Sequence, residues 1–469
     1  MQRSFAWFYL LIVVLLISPC SNLAFASPQA SDPPIHTHLT WRTNDTAHTI
    51  VVTWQTSNEN AGDEVLYDTT PRGGIPSFYS YGENGDPSET PHTYEGLNGY
   101  IHDVELTGLE PDTVYYFICG GENGGWSEER SFRTAPDCQK SFTFVVGGDS
   151  RRSGSYDADE LDIPPFPEMR NKISQAMAKF NPSFVLFTGD FIRDGFDQSQ
   201  WDNWFEMMET YWIDNNGLTI PIIPVIGNHE LSDPNQAEYS KEDAKNYYGQ
   251  FCLPENERWY SLDWGPDLHI TVLNSELPPV GLEGEEFDWL WNDIAASYTK
   301  GQKWKIVAFH RPPFSGGHSN WGIQNAWVRE AFDMFHVDLV FNGHVHNYER
   351  SKPINLLKSE NEPQTSPENG TIYVVSGGWG APLGSGRPEW FTAYGPEYKY
   401  HFTVVDVFED GTLRLRAVDE NGNVFDEFSI TKPAEGAGPG IPPLTVGAIV
   451  VVAIACVIIT VYVLKGREK

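Results

Sequence analysis

Five uninterrupted apolar segments, each ending on a polar side chain, constrain the fold of this chain more than any other feature of its sequence. In chain order they are SFTFVVGGDS, PSFVLFTGD, IPIIPVIGNHE, KWKIVAFH and VDLVFNGHVH. Apolar centres without alternation are typical of strands that are buried on both faces. Segments with a helical period lie between them, including EMRNKISQAMAKF, SQWDNWFEMMETYW and EEFDWLWNDIAASY. The region from Ser141 onward is therefore predicted to be an α/β layered domain.

The polar residues at the five strand ends are of types that bind metal ions. They are Asp149, Asp190, Asn228, His310, His344 and His346. Open α/β sheets bind ligands beyond the carboxyl ends of their strands, so we expect these side chains to converge on one crevice. In an extended chain, residues two positions apart point the same way, so His344 and His346 would direct both imidazoles into it. Glycines precede most of these residues, where their small size permits tight turns and close approach.

Residues 35–135 show a different pattern, with short alternating runs such as HTIVVTWQT, DEVLYDT, YIHDVELTG and RSFRTAP between turn residues. Regular strand spacing of this kind predicts an all-β sandwich. The stretch LEPDTVYYF places Tyr115 where a tyrosine corner would lie, and the region resembles a fibronectin type III domain. It contains no cluster of ligating or nucleophilic residues. A spacer or substrate-shaping role is therefore expected for it.

The two ends of the sequence predict export and a membrane anchor. Residues 1–26 combine an early arginine, an apolar run and the small-x-small motif AFA, which is the pattern of a signal peptide. Residues 444–464 follow a Pro/Gly-rich linker at 432–443 and are uncharged along a length that can cross a bilayer as a helix. The basic tail at 465–469 places the N-terminal domains outside. We predict a single-pass protein of the cell membrane, with a glycosylphosphatidylinositol signal as the alternative.

Net charge bears on the partners that the protein can bind, and the cysteine content bears on whether it contains a disulfide. A net charge of -33 would repel a nucleic-acid backbone, so no nucleic-acid partner is predicted. Net charge does not exclude an anionic substrate, because metal cations can dominate the local field of a site. Outside the two terminal segments the cysteines are Cys119, Cys138 and Cys252. One disulfide with a free thiol is expected of an extracellular protein, and the sequence leaves its pairing open.

The blocks GGDS, TGD, GNHE, AFH and GHVH resemble the signature of the calcineurin-like metallophosphoesterases. The preceding sandwich and the longer block GHVHNYER resemble the purple acid phosphatases within that group. The predicted architecture is thus α+β and multidomain. A fibronectin type III-like sandwich at 35–135 precedes a metallophosphoesterase domain at 138–431, in which helices flank central β-sheets. A transmembrane helix follows at the C-terminus.

The resemblance implies a dinuclear metal site. Asp190 would bridge the two ions, and the remaining ligands divide into two sets. One ion would be held by Asp149 and His346, and the other by Asn228, His310 and His344. Two cations that share a carboxylate can hold a hydroxide and clamp a phosphoryl group. Carboxylate and amide oxygens with imidazoles suit Fe, Zn or Mn and do not select among these divalent or trivalent ions.

Two further histidines are catalytic candidates through the same resemblance. His229, beside Asn228, would protonate the leaving oxygen or stabilise its charge, with a hydrogen bond to the ligands as the alternative. His318, in RPPFSGGHSNW, lies where relatives often carry a substrate-facing histidine. A position on the protein surface is the alternative for His318.

One departure from the resemblance concerns Arg193. It stands where the purple enzymes have the tyrosine of Gly-Asp-x-x-Tyr, so the phenolate ligand of ferric iron is absent. Arg193 would pair with Asp194, approach the substrate phosphate or lie at the surface. Arg151 and Arg152 raise the same question, and the sequence does not assign them to the site.

Together these features predict a membrane-anchored extracellular phosphoesterase that hydrolyses phosphate monoesters with a metal-bound hydroxide. A phosphodiesterase acting on cyclic nucleotides or phospholipid headgroups would use the same ligands. A non-catalytic adhesion or receptor ectodomain is the alternative from another class, and the complete ligand set favours the enzyme. The predicted partners are a phosphate ester and the membrane. The natural substrate, the metals and the oligomeric state stay open.

Overall fold

The computed structural model describes residues 31–151, 166–232, 240–276 and 284–432. Within these ranges an N-terminal β domain precedes an α/β domain, in agreement with the predicted architecture. The predicted signal peptide, transmembrane helix and cytoplasmic tail lie outside the described residues, as does the linker except for Lys432. None of the helices in the described ranges combines the length and the apolar character needed to cross a membrane.

The N-terminal domain consists of eight strands in two sheets. The strands are β1 (Ile35–Thr40), β2 (Ile50–Thr56), β3 (Glu64–Asp68), β4 (Tyr81–Asn84), β5 (Tyr100–Leu106), β6 (Val114–Gly121), β7 (Gly125–Trp126) and β8 (Arg130–Arg133). One sheet has the order β1-β2-β5 and the other the order β4-β3-β6-β7, with β8 paired to β6. At the corner before β6, the backbone N–H of Glu110 donates to the hydroxyl of Tyr115 at 2.9 Å. This is the hydrogen bond of a tyrosine corner.

Thirteen strands of the α/β domain lie in the described ranges. They are β9 (Phe142–Gly147), β10 (Val185–Phe187), β11 (Ile222–Pro224), β12 (Tyr260–Trp264), β13 (Leu268–Val272), β14 (Trp304–Ala308), β15 (Leu339–Asn342), β16 (Tyr348–Ser351), β17 (Ile372–Ser376), β18 (Thr392–Glu397), β19 (His401–Val407), β20 (Thr412–Asp419) and β21 (Val424–Thr431). They form two sheets with the orders β11-β10-β9-β19-β20-β21 and β12-β13-β14-β15-β17-β16-β18. We call these the first and the second sheet.

The five strands predicted from the apolar segments are β9, β10, β11, β14 and β15, and all are nearly fully buried. The first three run parallel in the first sheet, and the last two run parallel in the second. In the second sheet β13 and β17 are also parallel to them, and antiparallel strands complete both sheets. The sequence predicted buried parallel strands correctly, but it did not predict that they divide between two sheets.

The helices include one at each of the three predicted positions, residues 168–180, 199–212 and 285–298, and further helical segments that the sequence did not predict. The helices are α1 (Phe166–Ala178), α2 (Gln198–Tyr211), α3 (Lys245–Gln250), α4 (Glu285–Lys300), α5 (Trp321–Ile323) and α6 (Asp333–Phe335), with a π-helical segment, Gln324–Phe332, between the last two. The side chain of Asp197 caps α2 by accepting the N–H of Ser199 at 3.0 Å. Helix α2 then buries Trp201, Trp204 and Met208, which recur with the helical period.

The two domains pack against each other through β1 and α2. The backbone N–H of His36 donates to Glu209 Oε2 at 3.0 Å, and the rings of His38 and Phe205 stack with centroids 4.6 Å apart. Every residue of β2 is buried, which indicates that both faces of its sheet are covered. The N-terminal domain therefore supports the helix next to the strands that carry the candidate site.

The cysteine expectation is wrong for the residues that the structure describes. Cys119, Cys138 and Cys252 are all free thiols. Cys119 lies within β6, Cys252 follows α3, and Cys138 is exposed in the segment before β9. Burial raises the pKa of the Cys119 thiol to about 11, which keeps it protonated.

Candidate metal centre and active site

The strand ends that carry the site have an unusual backbone conformation. Asp149, Asp190 and His344 have φ values of 61°, 56° and 67°. A left-handed conformation is uncommon for residues other than glycine, and such residues concentrate at functional sites. The N–H of Asp149 donates to the carbonyl of Gly189 at 2.9 Å, which joins the ends of β9 and β10. The chain thus turns sharply at three of the predicted ligands.

Two glycines permit the carboxylates to lie against neighbouring strand ends. A Cβ atom on Gly343 would lie 2.4 Å from Asp149 Oδ2, and one on Gly227 would lie 2.5 Å from Asp190 Oδ1. Both distances are too short for any side chain with a Cβ atom. Close approach, rather than a left-handed turn, is the physical reason for glycine at these two positions.

One group of predicted ligands surrounds the amide oxygen of Asn228. Asn228 Oδ1 lies 2.9 Å from His344 Nδ1 and 3.2 Å from His310 Nε2. His310 Nε2 also lies 3.2 Å from Asp190 Oδ1. Four side chains from the ends of four strands therefore meet at one point, as the sequence predicted.

The other group forms around Asp149. Its Oδ1 atom lies 3.3 Å from His346 Nε2, and its carboxylate accepts the backbone N–H of His344 at 3.0 Å and 3.1 Å. Asp149, Asp190 and His310 each direct one ligand atom into a space where all three atoms lie within 4.8 Å of one another. The structure thus brings all six predicted ligands together, and their assignment to individual ions stays a prediction.

Backbone carbonyls fix the orientation of two imidazoles. The Nδ1–H of His310 donates to the carbonyl of Thr188 at 2.8 Å, and the Nδ1–H of His346 donates to the carbonyl of Pro382 at 2.6 Å. With Nδ1 protonated in this way, the neutral form of each ring has an unprotonated Nε2, and that atom faces a carboxylate. Hydrogen bonds of this type hold metal-binding histidines in the ligating tautomer.

The buried charges in the site perturb one another. Burial alone would raise the pKa of Asp190, but the charge and hydrogen bond of His310 outweigh it and hold the pKa below its usual range. Burial alone would lower the pKa of His310, but Asp190 outweighs it and raises the pKa. For His344, burial and the positive charges of His310 and Arg311 lower the pKa to about 2. Metal ions bind anionic carboxylates and unprotonated imidazole nitrogens, so metal binding would displace the proton that Asp190 favours on His310.

The donor set fits a pair of metal ions. Two carboxylates, one amide oxygen and three imidazoles converge, and both Asp149 and Asp190 are at most 1 % exposed. Buried carboxylates need cationic partners, and metal ions held between them and the imidazoles would supply that charge. Hard oxygen and imidazole nitrogen donors suit Fe, Zn and Mn.

The two predicted catalytic histidines both lie at this centre. The N–H of His229 donates to Asp190 Oδ1 at 3.0 Å, and its Nδ1–H donates to the carbonyl of Arg193 at 2.6 Å. Its Nε2 lies 3.9 Å from Asp190 Oδ2. Burial lowers the pKa of His229, and the charge of Asp190 opposes this. His318 is exposed on the loop after β14, with its ring centroid 5.5 Å from that of His344.

The structure shows where two of the three arginines in question lie, Arg151 and Arg193. Arg151 lies in the site, with Nε 3.4 Å from Asp190 Oδ2 and Nη2 3.4 Å from His346 Nε2. Arg152 lies outside the described residues. The backbone of Arg193 supports the site, because its carbonyl orients His229 and its N–H donates to Gln200 Oε1 at 3.0 Å.

Glu230 is a supporting residue that the sequence reasoning missed. Its Oε2 accepts the N–H groups of Asp190 at 2.9 Å and Gly227 at 2.7 Å, and its Oε1 accepts that of Phe191 at 2.9 Å. Burial, followed by the charge of Asp190, raises the pKa of Glu230 to about 8. Glu230 ends the block GNHE, in a short 3-10 helix (Asn228–Glu230) after β11, and its residue type alone does not distinguish it from a surface acid.

Comparison with known families agrees with this geometry. Residues 34–134 match the family described as purple acid phosphatase, N-terminal domain, and residues 162–348 match the calcineurin-like phosphoesterases. The chain is 26% identical over 463 residues to probable inactive purple acid phosphatase 27 of Arabidopsis thaliana, covering 88% of this chain and 72% of that protein. It is 28% identical over 406 residues to phosphoenolpyruvate phosphatase of Allium cepa, covering 81% of this chain and 76% of that protein.

Solved structures share the fold. A purple acid phosphatase from yellow lupin (Lupinus luteus) seeds superposes with a TM-score of 0.69 at 23% identity, covering 86% of this chain and 75% of that one. The structure of PhoD superposes with a TM-score of 0.58 at 13% identity, covering 88% of this chain and 95% of that one.

The site and the matched domains define the chain as a metallophosphoesterase, a hydrolase of phosphate esters. The chain combines a purple acid phosphatase N-terminal domain with a calcineurin-like phosphoesterase domain, and purple acid phosphatases are among its relatives.

Proposed function

We propose that the protein is a membrane-anchored extracellular phosphomonoesterase. The observation that carries the proposal is the convergence of six ligand side chains with His229 at one buried centre. A relative of similar architecture is named for hydrolysis of a phosphate monoester, phosphoenolpyruvate. The uncharged segment at 444–464 and the basic tail after it support the membrane anchor and its orientation.

Two metal ions would share Asp190. One would be held by Asp149 and His346, and the other by Asn228, His310 and His344. When bound, such a pair activates water and neutralises the charge of a phosphoryl group. The protein contributes the orientation of its ligands, since backbone carbonyls hold His310 and His346 with Nε2 directed inward.

His229 acts on the leaving group. Its Nδ1–H is engaged by the carbonyl of Arg193, so Nε2 is the atom that carries a transferable proton. Protonated at Nε2, the ring would donate that proton to the oxygen of the departing alcohol. The hydrogen bond from the backbone of His229 to Asp190 fixes the imidazole next to the centre. His318, at the exposed rim, would face the substrate.

The test is hydrolysis by the full chain in detergent after metal reconstitution. Initial rates on p-nitrophenyl phosphate and on bis-p-nitrophenyl phosphate should show a clear preference for the monoester, with metal content measured in the same samples. A preference for the diester would replace this proposal with a phosphodiesterase. Metal binding without hydrolysis of either ester would remove both.

The metal pair should be colourless in the visible range. Arg193 stands at the position of the tyrosine of Gly-Asp-x-x-Tyr, so no phenolate is expected on a ferric ion. The absorption spectrum of the active, metal-loaded protein should lack an intense visible band. A purple sample whose band disappears when a nearby tyrosine is replaced would contradict this.

A non-catalytic role is the second candidate, because several relatives are named as probable inactive phosphatases. The complete set of ligand types weighs against it for this chain. A non-catalytic protein would bind metal and would hydrolyse neither p-nitrophenyl phosphate nor bis-p-nitrophenyl phosphate.

A further inference from the structure

The strand that carries His310 continues into an arginine that the proposed mechanism has not used. Arg311 places Nη1 3.3 Å from His344 Nε2, on the edge of the ring opposite to Nδ1, which faces Asn228. Its side chain is 23% exposed, so it borders both the candidate metal centre and solvent. An imidazole ring therefore separates this guanidinium from the predicted ion.

A buried carboxylate fixes the guanidinium. Arg311 Nε donates to both oxygens of Glu276, at 3.0 Å and 2.8 Å, and the Glu276 side chain is only 2% exposed. Ser275 Oγ accepts the backbone N–H of Arg311 at 2.9 Å and donates to Glu276 Oε1 at 3.1 Å. The anchor thus engages Nε and does not use the N–H groups of Nη1 and Nη2.

The ion pair between Arg311 and Glu276 positions the guanidinium more than it stabilises the fold. Burial raises the pKa of Glu276, and the positive charges of His310 and Arg311 oppose this rise. Buried ion pairs contribute little net stability, because desolvation offsets most of the attraction. The main effect of Glu276 is therefore to hold one guanidinium at the edge of the centre.

The other arginine of the site lies differently. Arg151 is 3.4 Å from both Asp190 and His346, so it approaches two predicted ligands directly. Arg311 approaches only the outer nitrogen of His344 and therefore adds a cation without competing for the inner ligand atoms. Arg311 is the better placed of the two to interact with a substrate while metal ions are bound.

We propose that Arg311 binds a terminal oxygen of the substrate phosphate and thereby selects monoesters over diesters, with Glu276 as its positioning residue. The proposal deepens the phosphomonoesterase function and rests on it. A monoester carries three terminal oxygens and up to two negative charges, whereas a diester carries two such oxygens and one charge. A guanidinium presents planar pairs of N–H donors that match phosphate oxygens.

The first experiment compares kcat/KM for p-nitrophenyl phosphate and bis-p-nitrophenyl phosphate in the full chain. Arg311→Ala should lower the monoester value about ten- to hundredfold, the usual effect of losing a charge-assisted hydrogen bond, and change the diester value much less. Arg311→Lys should retain part of the preference. Glu276→Gln should raise KM for the monoester more than it lowers kcat. Arg133→Ala removes an equal charge from the N-terminal domain, where it pairs with Asp112, and should change neither value.

The second experiment needs no turnover. Titration calorimetry with inorganic phosphate, at equal and saturating metal content, should show about tenfold or more weaker binding in Arg311→Ala and intermediate binding in Arg311→Lys. Unchanged phosphate affinity, or an equal loss of monoester and diester hydrolysis, would overturn the role of Arg311. If no variant hydrolyses either ester but phosphate affinity still depends on Arg311, the phosphatase proposal fails and the binding role stands.

Discussion

The first and second sheets of the α/β domain contribute different chemistry to the same site. The strands of the first sheet end in the three oxygen donors, Asp149, Asp190 and Asn228. Those of the second sheet end in the three imidazoles, His310, His344 and His346. Neither sheet holds a mixed set of metal ligands. The centre is therefore a property of the interface between the sheets.

This division has an energetic consequence. A metal ion that binds oxygen donors of one sheet and nitrogen donors of the other binds only when the sheets are packed together. Ligands that bind the folded state alone stabilise it. Metal should thus strengthen the packing of the sheets, and substitution of the donors of one sheet at a time tests this.

Asp190→Ala is expected to have the largest effect. Its Oδ1 lies 3.2 Å from His310 Nε2, and ligand atoms of Asp149, Asp190 and His310 all lie within 4.8 Å of one another, so the carboxylate borders both ligand groups. The variant should lose both ions and all detectable phosphatase activity. Metal content by plasma mass spectrometry, with hydrolysis of p-nitrophenyl phosphate, measures this.

Asp194→Ala is the matched control, since Asp194 is an exposed carboxylate four residues further on. It should keep both ions. Two ions at normal affinity in a folded Asp190→Ala, with folding checked by circular dichroism, would remove the bridging assignment.

The next prediction pairs one donor from each sheet. Asn228 Oδ1 and His344 Nδ1 are 2.9 Å apart and are assigned to the same ion. Each single variant, Asn228→Ala and His344→Ala, should lose chiefly that ion, and the double variant should lose no more than that one. The number of metal ions per chain, measured in all three variants, shows whether Asn228 and His344 hold the same ion. A double variant that retains no metal would show that the two residues serve different ions.

His229→Ala should leave both ions bound and slow only the chemistry of the leaving group. Protonation helps most when the departing alkoxide is strongly basic, so alkyl phosphates should lose about a hundredfold to ten-thousandfold in rate. p-Nitrophenyl phosphate should lose far less, because its leaving group is a stable anion. Rates on both substrates at full metal occupancy provide the comparison. An equal loss on both would assign His229 to binding or architecture.

Local pattern predicted the donors themselves but not the surface between the sheets. The five strands, their burial and the convergence of their polar ends followed from uninterrupted apolar runs that each finish on a ligand type. Strand period and helix period depend on near neighbours along the chain. The order of strands in a sheet depends on contacts distant in sequence, which is why the division into two sheets was not predicted.

The supporting residues were harder to predict for a related reason. Glu230 and Glu276 act through hydrogen bonds to backbone or side chains of other strands, and nothing local distinguishes them from surface acids. Arg151 follows a ligand directly, yet only the fold shows that its side chain turns toward Asp190. By contrast, Tyr115 was predicted correctly, because a tyrosine corner bonds within five residues.

The smallest expected effect concerns a buried charged group in each sheet, away from the site, and the residues that neutralise it. In the first sheet, Asp406 is paired with Arg414 at 2.9 Å and Arg416 at 2.8 Å. In the second sheet, His269 lies between Asp263 at 2.7 Å and Asp293 at 3.0 Å. Arginine stays charged at any accessible pH, whereas histidine does not. The second sheet should therefore be the one that alkaline pH weakens.

The sign and size of the effect follow from the histidine. Burial would lower the pKa of His269, but hydrogen bonds and charge from Asp263 and Asp293 outweigh it and raise the pKa to about 9. A pKa raised from 6.5 in the unfolded chain means that the stabilisation is complete below about pH 6.5 and disappears as pH rises through 9. Its size is about 3 kcal/mol at most.

Urea unfolding from pH 6 to pH 10 measures it in wild type and in His269→Gln. The difference in unfolding free energy between the two proteins should be largest at pH 6 and shrink as pH passes 9, because charged histidine is then lost from the wild type. Arg416→Gln, which removes one of the two guanidinium groups from Asp406 in the first sheet, should lower stability by an amount that stays constant over the same range. A pH-independent difference for His269→Gln would mean that neutral hydrogen bonds, and not the charge of His269, hold this part of the second sheet together.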